Sequence, residues 1–300
     1  MNEGSRALDD FLAQYYRSNP VNATFTGIHD YDGVLPDWSK DGRARERTEL
    51  EELLVRIAGV RGASVDHKTL YHDPEQLDLV LAETNLTVRI AEMSSGHFRE
   101  LNPALWTGEA IFGVVSLMIR DFAPAVSRLH SMTARLAAIP KFLEALPEAI
   151  GGPIPERWRD RAVRECGSAI ELFDSGLAGW IEEQRQVVAD FPDAESAEIV
   201  SVRAAASQAR DAFAMTRRQL QERSVADEST GAAGEEFLEI MIWNGHLCPH
   251  SVRGLLWMAE KAIEIEQLVL SGMLKARGID WSEAQRVLAG DHTNAAGYYE

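Results

Sequence analysis

Three residues with reactive side chains lie close together in the sequence Gly-His-Leu-Cys-Pro-His at residues 245–250: His246, Cys248 and His250. We expect a long helix to begin near Pro249, which would place Cys248 at or just before its N-terminus. A cysteine there is readily ionised, because the helix dipole and the free backbone N–H groups favour the thiolate. Either histidine could then act as its general base, so the segment predicts a candidate nucleophile.

Two other interpretations of this segment stay open. The same three side chains could bind a metal ion, but they supply only part of a tetrahedral ligand set, and no second ligand pair follows nearby. We therefore assign no metal ligand and no cofactor to this chain. The simplest interpretation is a helix start, with Cys248 as a small apolar residue and the histidines beside it.

The turn sequence Gly-Ile-His-Asp-Tyr-Asp-Gly at residues 27–33 holds a second candidate site. His29 and Asp32 would offer an imidazole and a carboxylate to a cleft. Aspartate and glycine are also common turn formers, so turn formation explains these residues equally well and is the interpretation that we favour.

Composition excludes several classes of function. The 300 residues carry a formal net charge of -17, which would repel nucleic acid. The most apolar window, residues 110–119, is about half the length of a membrane-spanning helix. The chain has two cysteines, Cys166 and Cys248, and a start without the features of a secretion signal, so we expect reduced thiols and a cytoplasmic protein.

Helical periodicity recurs along the whole chain, and strand patterns are almost absent, which predicts an all-α, multi-helix array. The seam from Ala162 through Cys166 and Ala169 is typical of a helix packed in a bundle. Pro124 and Pro140 each predict the start of a helix. We expect a helical bundle over residues 1–224, a loop at 225–234 and a helical subregion over 235–300 packed on the bundle, together forming one structural domain. The glutamates around 46–52 indicate a solvated helix face.

Three stretches together resemble the bacterial family called domain of unknown function 885. They are FLAQYYRSNPVNATFTGIHDYDGVLPD at 11–37, NPALWTGEAIFGVVSLMIRDFAPAVSRLHSMTARLAAIPKFLEAL at 102–146, and WSEAQRVLAGDHT at 281–293. The resemblance implies an all-helical fold related to zincin peptidases, with a deep cleft between two helical halves. It also implies that the catalytic apparatus, a helix with a His-Glu pair and further histidine ligands, lies in the second half.

This chain resembles the first half of that family, and none of its eight histidines is followed by glutamate. No catalytic residue can therefore be transferred from the family. Our leading hypothesis is a non-catalytic helical half that forms one wall of a substrate cleft and acts with a separately encoded, zinc-bearing chain, or self-associates. The alternative is a stand-alone enzyme or small-ligand-binding protein that uses His246, Cys248 and His250. A peptide or small molecule would be the substrate in either case.

Overall fold

The structure is a computed structural model that describes residues 2–61, 73–188, 191–194 and 196–290. Its regular structure is almost entirely helical, which confirms the predicted all-α class. The chain divides into two compact units after Gly245. That division lies beyond the loop 225–234, where the sequence placed a boundary. No described helix combines the length and apolar character needed to cross a bilayer.

Twelve helices make up the described part of the first unit. They are α1 Glu3–Ser18, α2 Pro20–Thr26, α3 Lys40–Arg61, α4 Pro74–Ser95, α5 Phe98–Leu101, α6 Pro103–Val115, α7 Ala125–Glu144, α8 Leu146–Ala149, α9 Glu156–Glu171, α10 Leu177–Val187, α11 Ala197–Gln221 and α12 Glu235–Ile240.

The main core of this unit lies where α7 and α9 pack along α11. The predicted seam residues Ala162, Cys166 and Ala169 are fully buried there. Their spacing of three or four residues puts them on one face of α9, which explains why the sequence pattern identified the contact. A π-helical turn at Leu172–Gly176 joins α9 to α10, so the two helices are continuous through one widened turn.

A second, smaller core lies between α1, α3 and α4. Leu50 and Ile57 of α3 are completely buried against Leu79 and Leu86 of α4. Since Leu50 and Ile57 are seven residues apart, they lie on the same face of α3. This buried face extends one turn further towards the N-terminus of α3, to Glu46, which lies in the candidate site described below.

The segment 225–234 is attached to the first unit. Two-residue strands β1, Ile154–Pro155, and β2, Val225–Ala226, pair in parallel. A 3-10 turn follows at Glu228–Gly231, where a Cβ built on Gly231 would lie 3.1 Å from the ring of Trp158. The turn therefore packs closely against α9, and glycine suits this position because it has no side chain.

Pro140 does not begin a helix, in contrast to our prediction. It lies inside α7. Of the two prolines, only Pro124 directly precedes a helix start. Proline lacks the backbone N–H that would bond to the preceding turn and normally disfavours a helix interior. The surrounding Ile139, Phe142 and Leu143 are buried, and this packing offsets the lost hydrogen bond.

The second unit contains helix α13, Val252–Arg277, and helix α14, Trp281–Gly290. Neither helix has a buried residue. Twelve large apolar side chains of these two helices are exposed, namely Leu256, Trp257, Met258, Ile263, Ile265, Leu268, Val269, Leu270, Met273, Trp281, Val287 and Leu288. Exposed apolar side chains in such number are normally covered by other protein.

Candidate functional site

The segment 245–250 does not place Cys248 at a helix start. Helix α13 begins at Val252, and its N-cap is Ser251, whose hydroxyl accepts a hydrogen bond of 3.1 Å from the backbone N–H of Gly254. Serine is a strong N-cap residue, so it sets the helix start in preference to Pro249. The predicted stabilisation of a Cys248 thiolate by the helix terminus therefore does not apply.

The three side chains of this segment are accessible to differing degrees. His246 and His250 are exposed, whereas Cys248 is partly buried. Among the residues that the structure describes, no cluster of three or more His, Cys, Asp or Glu side chains is suited to hold a metal ion. A catalytic role for His246, Cys248 and His250 stays a prediction.

The two cysteines are expected to differ strongly in their rates of alkylation. Burial raises the pKa of the Cys166 thiol to about 12, and the nearby Glu165 carboxylate adds to this. Cys166 is fully buried, so it should resist iodoacetamide between about pH 5 and pH 9, while Cys248 reacts. Site-resolved mass spectrometry of the folded protein measures both rates. If His246→Ala or His250→Ala slowed the labelling of Cys248, this would support the hypothesis that Cys248 is a nucleophile with a histidine as its general base. Equal slow labelling of both thiols would contradict that hypothesis.

The turn at residues 27–33 brings His29 and Asp32 together. The imidazole Nδ1 of His29 lies 3.2 Å from the Asp32 carboxylate, and its ring stacks on Phe122 at 4.0 Å. Asp32 also accepts a hydrogen bond of 2.6 Å from the hydroxyl of Thr24. That hydroxyl in turn accepts one of 2.7 Å from buried Arg135. Asp32 thus has a structural role in the turn, and its role in a cleft stays a prediction.

A pocket of about 220 Å³ lies in the first unit between α3, α4 and α5. We call it the charged pocket, because most of its lining residues carry charge: Lys40, Arg43, Ala44, Glu46, Arg47, Arg89, Glu92, Met93, His97, Phe98, Arg99 and Glu100. Charged side chains that converge on a concave surface are typical of a ligand site.

Glu46 is the centre of the charged pocket and is only 7% exposed. Its Oε1 accepts a hydrogen bond of 2.6 Å from Nη2 of Arg89, and its Oε2 accepts one of 2.7 Å from Nη1 of Arg99. One carboxylate therefore pairs with two guanidinium groups, which leaves an excess of one positive charge. Arg89 also donates to the side chain of Gln14 at 3.0 Å, which holds the pair against α1.

Aromatic rings position the two arginines further. The guanidinium of Arg99 lies 4.5 Å from the ring centroid of Trp38, and that of Arg89 lies 5.4 Å from the centroid of Tyr15. Such cation–π contacts stabilise a guanidinium while leaving its edge free to donate hydrogen bonds. Burial lowers the pKa of Arg89, and the carboxylate of Glu46 opposes this effect.

Glu92 lies beside the same arginines. Burial raises the pKa of this carboxyl, although the positive charges of Arg99 and Arg89 oppose the shift. The group is therefore easier to protonate than an exposed glutamate, and in its neutral form it can donate a hydrogen bond.

Sequence reasoning missed the charged pocket. We interpreted the glutamates around 46–52 as a solvated face, which is wrong for Glu46. A signal was present, because Glu46 lies one helical turn before Leu50 and so on the buried face of α3. Arg89 and Arg99 follow 43 and 53 residues later, and nothing in the local sequence marks them as its partners.

Comparison with known proteins identifies the class to which this all-helical fold belongs. Residues 20–246 match the family described as bacterial protein of unknown function, DUF885. The chain therefore belongs to this family, as the resemblance predicted. No curated protein matches the chain significantly.

A solved structure has a similar fold. It is a candidate lipoprotein of unknown function from Shewanella oneidensis, which superposes with a TM-score of 0.59 at 19% sequence identity. The match covers 74% of this chain and 37% of that chain. At this identity the likeness shows the fold alone, and the matched region spans little more than a third of the longer protein.

Proposed function

We propose that this chain is the non-catalytic helical half of a zincin-like hydrolase and forms one wall of a substrate cleft. The second half, which bears the zinc ligands and the general base, is a separate chain that binds to it. The proposal includes a cytoplasmic location, for which the two free thiols are the support.

The exposed apolar residues of α13 are the observation that carries this proposal. We call them the α13 surface: Leu256, Trp257, Met258, Ile263, Ile265, Leu268, Val269, Leu270 and Met273, each between 38% and 74% exposed. Soluble proteins rarely leave an apolar patch of more than a few hundred Å² uncovered unless a partner binds there.

We assign zinc to the second chain, because the residues that the structure describes offer no suitable ligand set. A catalytic zinc site needs three protein ligands and an open position, with a glutamate nearby as general base. The eight histidines include no His-Glu pair, and the described residues contain no cluster that fits a metal ion. The contribution of this chain is then to bind and orient substrate.

We expect the purified chain alone to contain no stoichiometric zinc and to hydrolyse no peptide. Co-expression with a chain of the same genome that carries a His-Glu zinc helix should yield a complex with about one zinc ion and measurable peptidase activity. Elemental analysis and a peptide hydrolysis assay measure the two properties. About one tightly bound zinc per isolated chain, lost in the His246→Ala and Cys248→Ser variants, would contradict the proposal and favour the stand-alone alternative.

A further inference from the structure

The charged pocket has an excess of positive charge that its own carboxylates do not balance. Five of its lining residues are lysine or arginine, and three are glutamate. The whole chain, in contrast, has a formal net charge of -17. A local cationic site on a strongly acidic protein attracts an anionic group, which the remaining acidic surface of the chain repels.

The arginines retain donors for such a group. Among the described residues, the guanidinium of Arg99 has one hydrogen-bond partner, Glu46, which occupies only Nη1. Arg43 donates one hydrogen bond of 2.5 Å from Nη1 to the backbone carbonyl of Trp38, and its Nε lies 3.6 Å from Glu100, a distance too long for a strong hydrogen bond. A guanidinium offers five N–H donors in a planar fork, and that fork matches the two oxygens of a carboxylate.

The dimensions of the charged pocket restrict the ligand. A volume of about 220 Å³ is below the range of roughly 300–1,000 Å³ that is usual for whole drug-sized ligands. The pocket can therefore hold a small acid or one end of a longer molecule. Ala44, Met93 and Phe98 add an apolar part to the lining, which suits a short aliphatic side chain next to the anionic group.

We propose that the charged pocket binds the carboxylate end of a small organic ligand, and in particular the C-terminal carboxylate of a peptide. Arg99 is the principal ligand-binding residue, with Arg43 and Lys40 at its side. Glu46 acts as a positioning residue, because it fixes the guanidinium of Arg99 from the buried side. The choice of a peptide rests on the proposed function, whereas the binding of a carboxylate rests on the pocket alone.

The test compares three probes on the full chain by isothermal titration calorimetry: acetyl-Ala-Ala as the free acid, the same peptide as its C-terminal amide, and inorganic phosphate. We expect the acid to bind, and the amide to bind about tenfold more weakly or worse, since it lacks the charge that pairs with arginine. Equal binding of acid and amide, no binding of either, or tighter binding of phosphate than of the acid would each overturn the proposal.

Two variants separate ligand binding from stability. Arg99→Gln should weaken binding of the acid about tenfold or more, because it removes the charged fork. Arg61→Gln is the matched control: Arg61 pairs with Glu83 across the same helices α3 and α4, but outside the pocket. A purely structural role for Arg99 would leave the acid's affinity unchanged in both variants, and that result would overturn the proposal.

The comparison of acid and amide on the wild-type chain needs no variant to fold. The comparison also needs no second chain. A negative result in this titration can therefore be distinguished from failure of the proposed function, which would appear as the absence of a zinc-containing complex.

Discussion

Replacing Arg135 with methionine is expected to lower the free energy of unfolding by about 3–5 kcal/mol, because a buried, multiply bonded charge is lost and its partners stay buried. Arg135 of α7 is completely buried and donates six hydrogen bonds. The acceptors belong to three separate segments: Pro20 and Thr24 of α2, Tyr31 and Val34 of the following turn, and Gly113 and Ser116 at the end of α6.

The expected loss is large because methionine has no N–H donor, so all six acceptors lose their hydrogen bond from Arg135 at once. Burial lowers the pKa of Arg135 to about 10, and the charges of Asp32 and Glu109 oppose this shift. The side chain therefore stays protonated at neutral pH, and its removal also leaves the Asp32 carboxylate without a compensating charge.

Urea denaturation followed by circular dichroism measures this effect. Arg45→Met is the control, since Arg45 forms an exposed ion pair with Asp37 and such pairs contribute about 0–1 kcal/mol. If Arg135→Met and Arg45→Met unfolded at the same urea concentration, the assignment of Arg135 as the link between these segments would be wrong.

Much of the helical core was predictable because its pattern is local. Residues three or four apart, such as Ala162, Cys166 and Ala169, share a helix face whatever that face packs against. Their burial could therefore be inferred without knowledge of the partner helix.

The charged pocket could not be predicted in the same way. Its defining contacts join Glu46 to Arg89 and Arg99, and a charged residue in isolation normally indicates solvent exposure. Only the three-dimensional packing of α3 against α4 and α5 reveals that one carboxylate is shared.

The start of α13 was misplaced for a related reason, because Pro249 and Ser251 are both acceptable start signals and the capping hydrogen bond decides between them.

We propose that the α13 surface binds the zinc-bearing chain. Trp257 and Leu268 are 60% and 74% exposed, and their separation of 11 residues puts them on the same face of the helix. Replacing both with glutamate would bury two charges in an apolar interface. At about 2 kcal/mol or more for each residue, the double variant should weaken the complex by about three orders of magnitude.

Val55→Glu is the matched control for this variant. Val55 is 75% exposed on α3 in the first unit and is not part of the α13 surface, so the substitution adds a glutamate charge to a different exposed apolar site. We expect the control to bind the zinc-bearing chain as the wild type does. Both variants should retain the helical circular dichroism of the wild type, because the replaced side chains have no buried contacts to lose.

The direct measurement is size-exclusion chromatography with light scattering on the chain, its variants and the co-expressed zinc-bearing chain. We expect a complex of the two chains for the wild type and for Val55→Glu, and separate chains for the double variant at Trp257 and Leu268. In the absence of the second chain, the wild type should bind a hydrophobic dye. The proposed interface would be contradicted if the wild-type chain stayed monomeric, bound no dye and formed no complex. It would also be contradicted if the double variant formed the complex as well as the wild type.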